Sequence, residues 1–138
     1  MSLGHVPVEL RRLVRERAEG RCEYCLLPEA DSLSMHQVDH VLARKHNGKT
    51  AVENLALSCV LCNRRKGSDL SSVDLETGVL TPLFHPRRDR WTEHFRVLGL
   101  RIVLLTPIGR VTARLLGFNH PKRILERELL RAVGRNWP

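Results

Sequence analysis

Two Cys-x-x-Cys pairs, Cys22–Cys25 and Cys59–Cys62, bracket a stretch that contains His36, Asp39, His40 and Asn54, and Asn63 follows the last cysteine directly. Four thiolates in two tight pairs satisfy the tetrahedral preference of Zn2+ and leave no open coordination position, so this site reads as structural. Two disulfides in an exported chain are the alternative, but in a reducing compartment such pairs are better explained as metal ligands. His36, Asp39, His40 and Asn63 offer oxygen and imidazole donors. Those suit Mg2+, Mn2+ or another divalent ion rather than a second thiolate-bound zinc, and they imply a separate, open site. Neighbours on a regular strand face opposite ways, so Asp39 and His40 can share a site only if the strand bends or ends there.

The elements that position these residues can be read from the surrounding pattern. Pro7 opens a segment in which Leu10, Leu13, Val14 and Ala18 recur at helical spacing, and Gly20 stops it just before the first cysteine pair. Val38, Val41 and Leu42 predict a short strand ending near His40. The polar run Arg44 to Glu53, with Asn47-Gly48, predicts a loop, and Leu55 to Leu57 a second strand. Val60 to Lys66 reads as a short helix closed by Gly67, which places Cys62, Asn63 and Lys66 within one or two turns. Downstream, Asp74 to Gly78 is a turn. Leu100 to Leu105 and Arg110 to Leu116, flanking Thr106-Pro-Ile-Gly109, predict a hairpin. Asn119 then caps a final helix with an apolar stripe of Ile124, Leu125, Leu129 and Val133.

The 138 residues, 42% hydrophobic, fit one domain with a core modest enough for a structural metal to help close it. No apolar run approaches the roughly 18 residues that span a membrane, and the N-terminus lacks the apolar core of a secretory signal, so a cytoplasmic location is expected. Twenty-three Lys and Arg against fifteen Asp and Glu give a formal charge of +8. Such an excess favours a polyanionic partner, with nucleic acid the leading candidate.

Val38-Asp-His-Val41, Glu53-Asn-Leu55 and Cys59-x-x-Cys-Asn-x-x-Lys-Gly67 together resemble an HNH nuclease of the four-cysteine type. The resemblance implies an α+β chain with the ββα-metal fold over a motif core of residues 22–67. Around that core it predicts an N-terminal helix and a C-terminal extension, 68–138, of hairpin plus helix, all within one domain spanning 1–138. It implies that Asp39 and Asn63 hold a catalytic divalent ion, that His40 is the general base, and that Asn54 organises the loop beside it; His36 is a further candidate ligand. Cys22, Cys25, Cys59 and Cys62 hold the structural zinc. Lys66, with Arg64 and Arg65 beside it, is expected to contact substrate phosphate.

The expected activity is hydrolysis of phosphodiester bonds in double-stranded DNA, leaving 5′-phosphate and 3′-hydroxyl ends. A zinc-stabilised nucleic-acid-binding module without cleavage is the rival reading. It shares the cysteines and the basic surface but has no need of Asp39, His40 and Asn63 together. A zinc-held protein-interaction domain explains only the cysteines.

Overall fold

Pro7 fixes the backbone entering the first helix, α1 (Val8–Arg17), whose apolar positions turn Val14 inward to complete burial. The computed structural model describes residues 5–138; residues 1–4 of the expected single domain lie outside the described part. The described chain divides into two compact units, one running to Ser68 and including His85–Arg88, the other made of Asp69–Phe84 and Asp89–Pro138. No helix among the described residues is long and apolar enough to cross a membrane.

In the first unit, β1 (Gln37–His40) pairs antiparallel with β2 (Leu55–Ser58), with Asp39 opposite Ala56 and His40 opposite Leu55. All four residues of β2 are buried. Leu55 and Leu57 join Val6 and Val14 in a core against which Leu10, Ala18 and Val38 pack, so the helix predicted from the first apolar stripe covers this hairpin. The loop between the strands turns at Asn47, which has φ 70°, and at Gly48. A Cβ on Gly48 would lie 1.7 Å from the Leu42 carbonyl oxygen, so only glycine fits this close return. After β2 the chain enters α2 (Val60–Lys66), closed at Gly67 as its sequence predicts. This ββα order carries the α+β class expected of the chain.

The second unit holds two further antiparallel pairs, β3 (Ser71–Val73) with β4 (Leu80–Pro82), and β5 (Phe95–Leu98) with β6 (Arg101–Leu104). A single helical turn, α3 (Trp91–His94), leads into β5. Phe95 is the centre of an aromatic cluster, 5.6 Å from Phe84 and 5.3 Å from Phe118 between ring centroids. The helices α4 (Pro107–Leu116) and α5 (Pro121–Ala132) complete it.

Two expectations are corrected here. The hairpin lies at Phe95–Leu104, turning at Gly99 with φ 62°, while Thr106-Pro-Ile-Gly109 begins a helix. The physical reason is legible afterwards: Thr106 Oγ1 accepts from Gly109 N at 3.1 Å as an N-cap, and Pro107 occupies the first helical position. Secondly, the apolar stripe of α5 points outward, with Leu125, Leu129 and Val133 exposed, whereas Arg123 and Arg127 are buried. These arginines donate to the carbonyls of Leu116 and Phe118, at and just past the end of α4, and of Leu100 in the β5–β6 turn, at 2.9, 2.7 and 2.9 Å. His120, rather than Asn119, caps α5; Asn119 instead bonds both backbone groups of Ile102.

Asp74 ties the turn between β3 and β4 to α4. Arg110 Nε and Nη2 donate to its two carboxylate oxygens at 3.0 and 2.9 Å, and Thr77 Oγ1 donates at 3.0 Å. The Arg110 bonds, with help from Thr77, hold the Asp74 carboxyl well below the usual carboxylate range. A depressed folded-state pKa adds stability above the unfolded value near pH 4, and that stability is lost as pH falls further. Asp74→Asn is therefore expected to lower the melting temperature at neutral pH, with the gap to wild type closing between about pH 4 and 2. Thermal melts by circular dichroism across that range test this; a gap independent of pH would contradict it.

Candidate active site

The two cysteine pairs adopt the same local device. Cys25 N donates to Cys22 Sγ at 3.4 Å, and Cys62 N donates to Cys59 Sγ at 3.4 Å, so each pair curls its backbone amide onto its own first sulfur. Cys59 is at once a member of its pair and the N-cap of α2. All four thiols are buried, and their sulfurs lie within 4.8 Å of one another, with Cys25 Sγ and Cys59 Sγ 3.7 Å apart. Zinc–sulfur bonds of about 2.3 Å give a tetrahedral edge of about 3.8 Å, so the cluster fits one zinc ion. Among the described residues it is the one group of three or more His, Cys, Asp or Glu side chains with that geometry. Without metal, burial pushes the Cys22 and Cys62 thiols well above their ordinary range.

Beside this cluster lies an open cleft of about 530 Å³, lined by Val38, Asp39, His40, Ala43, Arg44, Lys45, Asn63 and Gly67. Asp39, His40 and Asn63, separate in sequence, thus meet in one cleft. His40 is the last residue of β1, which is how adjacent residues come to border the same space. Asp39 is buried, and two bonds hold its Oδ2: Tyr24 donates its hydroxyl at 2.8 Å and Lys66 Nζ lies at 3.2 Å. Burial raises the Asp39 pKa above the usual value, opposed by the Lys66 charge and the Tyr24 bond. An oxygen-binding divalent ion fits this donor set, because the Asp39 carboxylate and the Asn63 carboxamide are hard ligands bordering an open space.

His40 Nε2 hydrogen-bonds with Thr50 Oγ1 at 2.8 Å, and Arg44 Nη1 donates to the same hydroxyl oxygen at 3.2 Å. Partial burial lowers the His40 pKa, as do the Arg44 and Lys66 charges, while Asp39 opposes them. The ring is therefore neutral at neutral pH. Asn54 closes the loop that carries Thr50. Its Oδ1 accepts from Leu42 N at 2.9 Å, and its Nδ2 donates to the carbonyls of Leu42 and Lys49 at 3.0 and 2.8 Å. Asn63 Nδ2 donates to Gln37 Oε1, which orients the carboxamide across the start of β1.

Three placements differ from the sequence expectation. Lys66, expected at substrate phosphate, is 2% exposed; its ammonium donates to the Val41 carbonyl at 3.1 Å and pairs with Asp39. Lys66, the last residue of α2, turns inward to answer the buried carboxylate, while Arg64 and Arg65 stay exposed outside the cleft lining. His36 also lies away from the cleft, buried, with its Nε2 donating to the Leu27 carbonyl at 2.7 Å. Tyr24 and Thr50 had no part in the sequence reading. Tyr24 sits inside the first cysteine pair, where its neighbours were a visible cue; nothing in the pattern distinguishes Thr50 from other polar loop residues.

Because the cluster fixes both Tyr24 and the start of α2, stripping its metal should disorganise the cleft as well as the knuckles. Purified protein is expected to hold about one zinc per chain, and Cys62→Ser to lose it together with the cooperative unfolding of the first unit. Metal analysis alongside thermal melts checks both. A metal-free preparation with an unchanged melt would contradict the assignment.

Comparison with known proteins finds the HNH endonuclease family model matching residues 22–69, about a third of the chain, beginning at the first cysteine and ending just past α2. No curated protein and no solved structure matches. The matched segment is the one that carries the hairpin, the short helix and the cysteine cluster. Over residues 22–69 the chain is thus similar to HNH endonuclease domains, and its hairpin, short helix and four cysteines positioned for a metal site are consistent with the zinc-stabilised ββα-metal fold.

Proposed function

We propose that the protein is a metal-dependent endonuclease that hydrolyses phosphodiester bonds of double-stranded DNA. The observation that carries this reading is that Asp39, His40 and Asn63 line one open cleft with Arg44 and Lys45 on its wall. Asp39 and Asn63 are the residues that hold the Mg2+ or Mn2+ ion. When bound, such an ion supplies charge stabilisation for the phosphate oxygens and the leaving 3′ oxygen.

His40 does the proton chemistry. In the tautomer whose Nε2–H donates to Thr50 Oγ1 across the 2.8 Å contact, the Nδ1 lone pair is left to take a proton from water. The resulting hydroxide attacks phosphorus in line as the bond to the 3′ oxygen breaks. The products are a 5′-phosphate and a 3′-hydroxyl. Arg44 and Lys45 draw the phosphodiester to the cleft wall, with the overall charge of +8 favouring approach to a polyanion. Asn54 holds the loop that presents Thr50 and so acts through it. The second unit, in this reading, is an accessory to the nuclease. A binding module without cleavage accounts for the charge and the cysteines but leaves the neutral, oriented imidazole without a role.

Plasmid DNA incubated with Mg2+, Mn2+ or EDTA tests the reaction. Nicking is expected with the metals and not with the chelator, and His40→Ala is expected to lose at least about 100-fold in rate while keeping its zinc. Equal nicking by the variant would sink the mechanism; metal-independent binding with no cleavage would favour the module.

The Thr50 contact generates a finer expectation. Thr50→Val removes the acceptor for His40 Nε2–H and should slow nicking about tenfold or more, whereas Thr50→Ser, which restores the hydroxyl, should recover most of it. Equal rates for the two variants would show that the hydroxyl does not orient His40.

A further inference from the structure

On the far side of Val38 from the cleft lies a second, smaller pocket of about 290 Å³, lined by His5, Val6, Arg11, Arg15, His36, Gln37 and Val38. Val38 borders both spaces. Gln37 links them as well, since it lines this pocket while its Oε1 accepts from Asn63 in the cleft.

His36 is built into the wall at three points. Its backbone N donates to Glu29 Oε2 at 2.7 Å, its carbonyl accepts from Arg15 Nη2 at 2.8 Å, and its ring Nε2 donates to the Leu27 carbonyl at 2.7 Å. The side chain is 2% exposed, and its Nδ1 is buried with no hydrogen-bond partner among the described residues. A buried polar atom without a partner costs free energy unless a ligand or water completes it. A carbonyl can only accept, so Nε2 carries a proton and Nδ1 is the position left for a ligand. It accepts from a hydroxyl, or from a water held by an anion.

The walls decide between these. Arg15 is answered by Glu29, at 3.4 Å, but Arg11 on the next turn of α1 is exposed and brings a positive charge to the pocket mouth, with His5 beside it. Cationic walls oppose a metal ion and favour an anion. The Arg11 guanidinium and the Gln37 amide are donor types that grip phosphate oxygens.

We propose that this pocket binds a phosphate group, and that in the complex the group is a backbone phosphate of the strand held in the cleft, one that is not cut. The proposal rests on the nuclease reading for the source of the phosphate, though not for the pocket's chemistry. The pocket sets how the strand leaves the cleft: a phosphate seated on Arg11 and His36 anchors the strand alongside β1 and leaves another phosphate facing His40.

Two probes separate the pocket from the cleft. Inorganic phosphate, titrated while the His36 ring nitrogens are followed by NMR, is expected to move the Nδ1 signal saturably, and Arg11→Glu to weaken that response about tenfold. Arg11 is exposed, so the variant should keep its fold, which zinc content and circular dichroism verify. A short DNA duplex is then bound in EDTA to His40→Ala protein, with and without Arg11→Glu. The charge reversal is expected to weaken binding about tenfold and to reduce the slope of log affinity against log salt by about one or more. A Nδ1 signal unmoved by phosphate overturns the proposal. So does a duplex affinity indifferent to Arg11→Glu, which would mean that the pocket takes free phosphate and not the strand. Failure of the nuclease reading shows itself elsewhere, in undiminished nicking by His40→Ala or in no nicking at all.

Discussion

Everything in the first unit depends on four sulfurs being within 4.8 Å of one another. The thirty-odd residues between Cys25 and Cys59 supply only two four-residue strands, a few single-turn helices and loops, too little for a self-sufficient core. The cluster draws the ends of that interval together, and what it draws together is the chemistry. Tyr24 lies inside one pair and bonds Asp39; Asn63 follows the other and lines the cleft; Lys66, one turn further along α2, pairs with Asp39. A scaffold tie and a ligand are thus never more than a few residues apart.

That arrangement answers a problem that Asp39 creates. A buried carboxylate is costly to ionise, and burial does raise its pKa. Both Tyr24 and Lys66 reach Oδ2, and together they compensate the carboxylate charge inside the fold. Lys66 is therefore more useful inside than at the surface. Removing it would strand a buried acid rather than merely weaken contact with a polyanion, and an arginine in its place would not fit a space shaped around one ammonium and the Val41 carbonyl.

Much of this was legible in the chain because the informative residues are close to their neighbours in sequence. The knuckles, the strand ending at His40, the loop turning at Asn47-Gly48 and the helix from Val60 to Gly67 all follow from local spacing and turn chemistry. What was not legible depended on tertiary partners. Thr106-Pro107 starts a helix where the apolar runs on either side resembled strands, and the propensity for a turn served the helix instead. Lys66 is expected from the sequence at substrate phosphate and His36 as a possible metal ligand, but a buried acid and a backbone carbonyl claim them. The stripe on α5 fails for the same reason: three carbonyls awaiting donors in the second unit outweighed apolar periodicity and turned Arg123 and Arg127 inward. A pattern reports which face is apolar, not which face has unmet hydrogen-bond acceptors.

The loop from Val41 to Glu53 shows how the two demands on the cleft are reconciled. Beyond the buried Val41 at its start, it is held by polar contacts to its own backbone, through Asn54 and the close return at Gly48. Its side chains are consequently free to be basic, and Arg44 and Lys45 form one wall of the cleft. Arg44 also touches Thr50 Oγ1, the atom that His40 bonds, and its charge lowers the imidazole's affinity for a proton alongside burial. One guanidinium therefore bears on both requirements of the proposed hydrolysis: it places positive charge on the cleft wall, and it lowers the proton affinity of the neighbouring histidine.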